Sequence, residues 1–252
     1  MKKKNLRRFH IDNADIIQTR AAIRGGEANH IKNVLRMGKG EGLLLFDDQG
    51  NEYEAVIEAV TPQGVELEII ETVPFIPREK GFELHVAQSF LKDKKMDLLI
   101  RQITELGVAV WHPFFSERSI PQPGRDRVGH RMERWEKIAR EAQKQCLRNH
   151  PIIIEPPVAF QGIIDQGSHA DVRVIFWEEE AMAIGDTLKA QDRAPEKVFM
   201  IIGPEGGFSS QEIALAKEKG FVSLSLGPRL LKAETAAIAA CALMQFLFGD
   251  MK

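Results

Sequence analysis

Two glycine-rich stretches in the C-terminal half of the chain have a composition suited to ligand binding. They are IIGPEGGFSSQEI at residues 201–213 and LGPRLLKAETAAIAA at residues 226–240. Each joins an apolar run that predicts a strand to a run that predicts a helix. Because glycine has no Cβ, a ligand can approach the main-chain N–H and C=O groups closely there. Each stretch taken alone also fits a tight structural turn, but two of them in one predicted sheet favour a shared pocket.

The two stretches differ from the common nucleotide-binding motifs. The first lacks the GxGxxG spacing of dinucleotide-binding loops, and no Gly-Lys-Ser/Thr follows it, as a Walker A loop requires. The seven histidines form no HExxH pattern, and the two cysteines have no metal-like spacing. We therefore predict no metal site and no disulfide framework, as in a protein of a reducing compartment.

A third stretch with chemical potential is REAQKQCLRNHPIIIEP at residues 140–156. If it is helical, Glu141, Gln145 and Arg148 lie at positions i, i+4 and i+7 and share one face. The alternative is an ordinary solvated helix face.

The elements around these stretches predict an α/β domain. From residue 82 onward, strand-like and helix-like runs alternate, which is typical of a mostly parallel sheet covered on both faces. Ligands bind such sheets beyond the carboxyl ends of the strands. Ser209 and Glu212 fit a capping box at the start of one helix, and Gly220 fits its end. The predicted strands lie in residues 82–90, 108–115, 151–156, 172–179, 197–203 and 222–227, and the predicted helices in 94–107, 125–148, 209–220 and 232–249.

The first 70 residues predict a smaller β-rich domain. Residues 42–50, 51–60 and 65–70 are short strand-like runs, which favours a small barrel or sandwich. A short helix is predicted from about Ala28 to Arg36. Prolines in residues 71–83 and the change of pattern after them place the domain boundary near residue 75.

The charge distribution points to a polyanionic partner despite a net charge of −2. Residues 1–40 hold ten Lys/Arg against three Asp/Glu, and residues 118–148 hold nine against four. Residues 41–80 are acidic, with two Lys/Arg and ten Asp/Glu. Clustered cations suit a nucleic acid surface, although solvated faces are the alternative. No run approaches the ~18 apolar residues of a membrane span, and the basic N-terminus lacks the apolar run of a secretory signal.

Taken together, these stretches resemble the RsmE family of 16S ribosomal RNA uridine-N3 methyltransferases in the SPOUT superfamily. The resemblance covers nearly the whole chain, and GPEGGF followed by LGxRLLxxETA is its most specific part. The matching segments are RRF at 7–9, HIKNVLRMGKGE at 30–41, KKMDLLIRQITELGV at 94–108, SERSI at 116–120, EAQKQCLR at 141–148, IIGPEGGFS at 201–209 and LGPRLLKAETA at 226–236.

The resemblance implies both the fold and the assembly. Residues 1–74 are expected to form a small N-terminal β-rich PUA-like barrel that binds RNA. Residues 75–252 are expected to form a SPOUT α/β trefoil-knot methyltransferase domain, with the knot in about residues 170–252. The family further implies a homodimer whose active site lies near the knot and the subunit interface, and a cytoplasmic protein without membrane contact.

The resemblance also implies S-adenosylmethionine (SAM) as methyl donor, with no metal. We expect recognition at the two loops to be by main-chain groups, because SAM carries no phosphate for a charged site to bind. The expected cofactor-binding residues are Gly203, Glu205, Gly206, Leu224, Leu226, Gly227, Leu231 and Thr235.

The expected reaction is methyl transfer to N3 of a specific uridine in 16S ribosomal RNA. That nitrogen must lose its proton to become nucleophilic, and cations or N–H donors near O2 and O4 would stabilise the developing negative charge. Arg229 and Arg8 are the candidate cations, with Arg118 as a further one. Glu141 and Glu234 are the candidate bases, but each could instead orient an arginine or cap a helix, and Glu234 is well placed to cap the last helix.

For the RNA we expect a set of phosphate contacts, which position a substrate without specifying its sequence. The RNA is expected within an assembled or nearly assembled small ribosomal subunit, with the target base flipped or exposed. The candidate contacts are Arg7, Arg8, Lys32, Arg36, Lys39, Arg118 and Arg148.

Three other functions remain open from the sequence. A nonenzymatic RNA-binding protein could use the C-terminal domain as a dimerisation scaffold, and SAM binding would distinguish it. A SPOUT enzyme could act on another RNA, for example on a transfer RNA 2′-O-ribose. A nicotinamide-dependent oxidoreductase is disfavoured by the missing fingerprint.

Overall fold

The computed structural model divides the chain into two compact units. Unit 1 comprises Met1–Arg78 and Gln143–Pro151, and unit 2 comprises Glu79–Ala142 and Ile152–Lys252. The boundary that we predict near residue 75 lies in residues 74–81, outside the described residues. The structure describes residues 6–47, 49–73, 82–92, 94–120, 125–148, 150–180, 182 and 194–251, with the backbone alone at 125 and 126.

Unit 1 is built on a six-stranded sheet of order β1-β4-β5-β6-β3-β2. Strands β1 and β4 pair in parallel, and the other neighbours are antiparallel. The alternation that predicts β6 is real, because Val65 and Leu67 are buried whereas Glu66 and Glu68 are exposed. The strands are β1 (Arg8–His10), β2 (Ile16–Ile17), β3 (Arg20–Ile23), β4 (Gly42–Phe46), β5 (Glu52–Val60) and β6 (Val65–Val73).

The short helix of unit 1 begins and ends earlier than we predict. Helix α1 (Gly25–Asn29) continues as a π-helical stretch, His30–Val34, and Ala28 and Ile31 pack into the core of the unit. Arg36 has a φ of +54°, a left-handed conformation in which the helix cannot continue. A 3₁₀ turn, Asn13–Asp15, precedes β2.

Unit 2 contains a seven-stranded sheet in which every pairing is parallel, of order β10-β8-β7-β12-β11-β13, with β9 also paired to β8. The predicted alternation of strands and helices is confirmed. The elements are β7 (Glu83–Ser89), α2 (Lys95–Glu105), β8 (Val110–Phe115), α3 (Arg125–Cys146), β9 (Ile153–Ile154), β10 (Val158–Ala159), α4 (Phe160–Gly167), β11 (Val172–Phe176), β12 (Lys197–Ile202), α5 (Ser210–Glu218), β13 (Val222–Leu224) and α6 (Ala233–Phe248).

Helices cover both faces of this sheet, so its strands are buried on both sides. Along β12, Val198, Met200 and Ile202 face one apolar cluster, whereas Phe199 and Ile201 face the other. Residues of α2, α3 and α6 belong to the first cluster, and those of α4 and α5 to the second. In the part of the chain that the structure describes, no helix is long and apolar enough to cross a lipid bilayer.

Two local predictions in unit 2 are corrected by the structure. Helix α4 forms from FQGIIDQG, where the sequence analysis predicts no helix. Arg148 does not share a helix face with Glu141, because α3 ends at Cys146 and Leu147 has a φ of +63°. The predicted capping box of α5 is confirmed, since Ser209 and Glu212 exchange both hydrogen bonds, and Gly220 ends that helix with a φ of +81°.

Candidate active site

Three loops leave the carboxyl edge of the parallel sheet and meet there. We name them the β11 loop (residues 177–180), the β12 loop (residues 203–209) and the β13 loop (residues 225–232). Parallel strands end at the same edge, where α/β proteins bind their ligands. Strand β11 lies between β12 and β13, so its loop separates the two glycine-rich stretches.

The β11 loop contacts both of its neighbours. The Trp177 N–H donates to the Leu224 carbonyl at 3.0 Å, which ties this loop to the end of β13. On the other side, a Cβ added to Gly207 would collide with the Glu178 carboxylate. Gly207 also has a φ of +67°, a conformation that favours glycine there.

A buried amide holds the start of the β12 loop. Gln88, at the end of β7, has no exposed surface. Its Nε2 donates to the carbonyls of Ser89 at 3.0 Å and of Gly203 at 3.1 Å. Gly203 itself lies against the ring of Phe208, about 3 Å from where a Cβ would sit. Gly203 is therefore a glycine for packing reasons, and its carbonyl is already hydrogen-bonded.

The tip of the β12 loop is open on one side. Arg118 donates from its guanidinium to the Gly206 carbonyl at 3.3 Å, and a Cβ on Gly206 would lie 3.3 Å from the Cβ of Arg118. Arg118, predicted as an RNA contact, thus borders the predicted cofactor loop. Both Glu205 and Gly206 are exposed.

The β13 loop contains the clearest open glycine of the site. Gly227 has a φ of +104°, and no atom lies within 4 Å of the position that a Cβ would take. Its N–H donates to Ser225 Oγ at 3.2 Å, which fixes the turn. Of the other predicted cofactor residues, Leu224 is fully buried, Leu226 and Leu231 are half-buried, and Thr235 is exposed.

Lys95, which the sequence analysis did not select, joins the two glycine-rich stretches. Its Nζ lies 2.9 Å from Glu205 Oε1 in the β12 loop and 3.4 Å from Glu234 Oε2 in the first turn of α6. The Lys92 N–H also donates to Glu205 Oε1, at 3.2 Å. The two stretches therefore meet in space, as the shared-pocket interpretation requires.

The ionisation of this cluster follows from its contacts. The hydrogen bond to Glu205, with the charges of both carboxylates, raises the pKa of Lys95 above its usual value. Burial acts to raise the pKa of Glu205, but the hydrogen bonds from Lys95 and from main-chain N–H groups outweigh it, so that pKa is lowered. Both shifts favour the charged forms of Lys95 and Glu205.

The candidate catalytic residues have different surroundings. Arg229 is exposed in the β13 loop and pairs with no carboxylate of the described residues. Glu141 lies on the exposed side of α3. Arg8 belongs to β1 in unit 1, where its guanidinium bonds Glu52 at 2.5 Å, stacks 4.4 Å above the ring of Phe46 and is 5% exposed. These contacts favour a structural role for Arg8 over the predicted catalytic and RNA-contacting roles.

The remaining RNA candidates of unit 1 fall into two groups. Arg7 and Lys39 are exposed, as an RNA contact requires. Arg36 is exposed as well, whereas Lys32 is half-buried and its Nζ donates to the Thr61 carbonyl at 2.8 Å. Arg148 is 6% exposed, and its carbonyl accepts a hydrogen bond from Arg8, which argues against a phosphate contact.

No group of three or more His, Cys, Asp or Glu side chains among the described residues is arranged to hold a metal ion.

Comparison with known proteins identifies the family. The model of the RNA methyltransferase domain matches residues 78–245, and that of the RNA methyltransferase PUA domain matches residues 23–70. The chain is 31% identical to the ribosomal RNA small subunit methyltransferase E of Aquifex aeolicus, over 88% of this chain and 92% of the relative. It is 29% identical to the protein of the same name from Bacillus subtilis, over 89% of each chain.

Solved structures agree with these sequence matches. A putative methyltransferase from Legionella pneumophila, in complex with SAM, superposes with a TM-score of 0.89 at 31% identity, over 98% of this chain and 100% of that one. The ribosomal RNA small subunit methyltransferase E of Neisseria gonorrhoeae, bound to SAM, superposes with a TM-score of 0.85 at 28% identity and the same coverage.

This chain belongs to the RNA methyltransferase family, within the group named ribosomal RNA small subunit methyltransferase E. The predicted family and the predicted α/β fold with a PUA-like N-terminal domain are confirmed. The trefoil knot stays a prediction.

Proposed function

We propose that the chain is a SAM-dependent methyltransferase that modifies N3 of one uridine in 16S ribosomal RNA. One structural observation carries the proposal. The two glycine-rich stretches, which follow non-adjacent strands, both contact Lys95, through Glu205 in the β12 loop and through Glu234 in the first turn of α6. Two structures that align with 98% of this chain are bound to SAM, which supports SAM as the cofactor.

The described residues fit such a cofactor. A side chain at Gly227 would enter open space, so the main chain of the β13 loop is accessible to an adenosine. Main-chain groups of Glu205, Gly206, Leu226 and Leu231 are the proposed donors and acceptors. Gly203 and Leu224 contribute less through their carbonyls, which already accept bonds from Gln88 and Trp177.

When bound, SAM supplies an electrophilic methyl group on a sulfonium. The methyl carbon leaves sulfur and bonds to N3 of the uracil, and the N3 proton passes to solvent or to a base. The chain contributes alignment, which can be worth about 7–11 kcal/mol, and stabilisation of the charge on the uracil oxygens. Arg229 is the proposed cation for those oxygens, because it is exposed in the β13 loop beside Gly227. Glu141 is retained as the candidate base.

The proposed RNA contacts are the exposed cations of each unit. Arg7, Arg36 and Lys39 serve in unit 1, with Lys32 if its bond to Thr61 opens, and Arg118 serves in unit 2. The match of residues 23–70 to an RNA methyltransferase PUA domain supports an RNA-binding role for unit 1. The uridine is proposed to be reached in an assembled or nearly assembled small subunit.

A homodimer is the proposed assembly. Helix α6 is apolar around most of its circumference, and Phe246 on it is 58% exposed. Leu230 in the β13 loop is 83% exposed. Exposed apolar surface of this kind fits a subunit interface. An enzyme of ribosomal RNA works where ribosomes are assembled, and on that ground we place it in the cytoplasm.

The test is a methylation assay with a mapped product. The protein is incubated with methyl-labelled SAM and small ribosomal subunits that lack the modification, and the labelled nucleotide is located by mass spectrometry of RNA fragments. We expect one 3-methyluridine in 16S ribosomal RNA. Label on a ribose oxygen, on another base or on transfer RNA alone would contradict the proposal.

A further inference from the structure

We propose that Lys95 is a positioning residue that joins the β12 loop to the first turn of α6, so that the two glycine-rich stretches bind SAM as one preformed site. This inference rests on the proposed function. It concerns a residue of α2, a helix that carries none of the predicted site residues.

The contacts of Lys95 are long-range in sequence and short in space. Glu205 lies 110 residues further along the chain, yet its carboxylate accepts a hydrogen bond from the Lys95 ammonium at 2.9 Å. Glu234, in the first turn of α6, places Oε2 at 3.4 Å from the same Nζ. The Lys92 N–H bonds the Glu205 oxygen that Lys95 bonds. The start of α2 thus holds the tip of the β12 loop through two donors.

The partial burial of the cluster gives these contacts weight. The side chains of Lys95, Glu205 and Glu234 are 31%, 26% and 17% exposed. A single exposed ion pair contributes little to stability. Here one cation lies near two carboxylates, whose nearest oxygens are both within 3.4 Å of Nζ, and it offsets part of their negative charge. Removal of the cation leaves two neighbouring negative charges that repel each other and push the loops apart.

The same geometry separates positioning from chemistry. The Lys95 ammonium donates to Glu205 and forms an ion pair with Glu234, so its positive charge is already balanced within the fold and it is a weak candidate for contact with a substrate phosphate. The loss of Lys95 should therefore appear in the affinity for SAM, because SAM binds less tightly to a site whose loops are not already in the binding conformation. The methyl-transfer step itself should change little once SAM is bound.

The experiment compares three variants of the full chain. Lys95→Met keeps the length of the side chain and removes its charge, and Lys95→Arg keeps the charge. Lys94→Met is the matched control, because Lys94 is the exposed neighbour and makes no ion pair with a described residue. Calorimetry gives the Kd for SAM, initial rates give KM and kcat, and thermal unfolding without SAM monitors the fold.

We expect Lys95→Met to raise the Kd and KM for SAM about ten-fold, equivalent to about 1.4 kcal/mol, with kcat at saturating SAM within about two-fold of the parent. Lys95→Arg should restore most of the affinity, and Lys94→Met should match the parent. An unchanged Kd in Lys95→Met, or a loss in kcat without a change in KM, would overturn the inference.

A second measurement keeps the test decisive if Lys95→Met unfolds. Glu205→Gln removes one of the two negative charges. In the double variant, Lys95→Met with Glu205→Gln, the increase in the Kd for SAM should be smaller than the product of the increases in the two single variants. Additive effects would overturn the inference. If the parent protein does not bind SAM, the proposed function fails. If the parent binds SAM and Lys95→Met has the same Kd as Lys94→Met, the inference alone fails.

Discussion

At the scale of single residues, the site depends on positions where a side chain would be out of place. Gly227 has a left-handed φ and open space where a Cβ would sit. Gly207 also has a left-handed φ, and there a Cβ would meet the Glu178 carboxylate. The sequence predicts the importance of these glycines, because glycine is the residue that such conformations favour. It does not predict which glycine is open to a ligand and which is packed against a ring, as Gly203 is.

Gly227→Val should abolish measurable SAM binding while the protein stays folded. The side chain would fill the open space, and a β-branched residue at this φ adds strain of about 1–3 kcal/mol. Gly40→Val is the matched control, since Gly40 has a φ of +89° and open space but lies in unit 1. Calorimetry with SAM checks both; equal loss in the two variants would contradict the assignment of the β13 loop.

At the scale of elements, the sequence predicts the strands and helices of unit 2 well but not what ties their ends together. Buried strands read as apolar runs, and the helices show their caps. Gln88 and Lys95 escape such an analysis, because their partners lie more than 100 residues away. The same limit applies to Arg8, because a basic N-terminus suggests RNA, whereas the fold supplies Glu52 as a partner.

The start of α5 is also held by a hydrogen bond between residues that are far apart in sequence. The Glu212 carboxylate accepts from Ser209 N–H at 3.0 Å and, through its other oxygen, from Glu117 N–H at 3.0 Å. Glu212 thus joins the cap of α5 to the loop after β8 that carries Arg118.

Glu212→Ala should lower the free energy of unfolding by about 1–3 kcal/mol, because it leaves two N–H groups without their acceptor. Glu218→Ala, at the exposed end of the same helix, should change it by less than about 0.5 kcal/mol. Urea denaturation followed by circular dichroism measures both. Equal effects would show that the cap and the Glu117 bond contribute nothing.

At the scale of the whole molecule, the structure adds partners that no local pattern contains. The stretch Gln143–Pro151 groups with unit 1, although it follows most of α3 in sequence. The cations of the basic segments are likewise divided: some, such as Arg7 and Lys39, are exposed, and others are used within the fold.

A buried histidine pair in unit 2 links the stability of the protein to pH. His85 and His112 share a hydrogen bond of 3.1 Å, and His112 also bonds Gln166. Burial, then the neighbouring His85, lowers the pKa of His112 from 6.5 to about 4, and burial lowers the pKa of His85. Between those values the unfolded chain binds more protons than the folded one. Stability therefore falls as the pH drops from 6.5 towards 4.

We expect the free energy of unfolding to decrease between pH 7 and pH 5 with a slope of up to about 1.4 kcal/mol per pH unit for each histidine. His112→Asn, which cannot titrate, should have a smaller slope than the parent. Urea denaturation at a series of pH values checks this. An identical slope in the variant would contradict the assignment to the pair.

The most direct test of the account is a crystal structure of the protein with SAM. We predict the adenosine against the main chain of the β12 and β13 loops, beside Gly206 and Gly227, with Lys95 still bridging Glu205 and Glu234. SAM bound at another edge of the sheet, or loops closed by side chains with no SAM between them, would contradict the central claim.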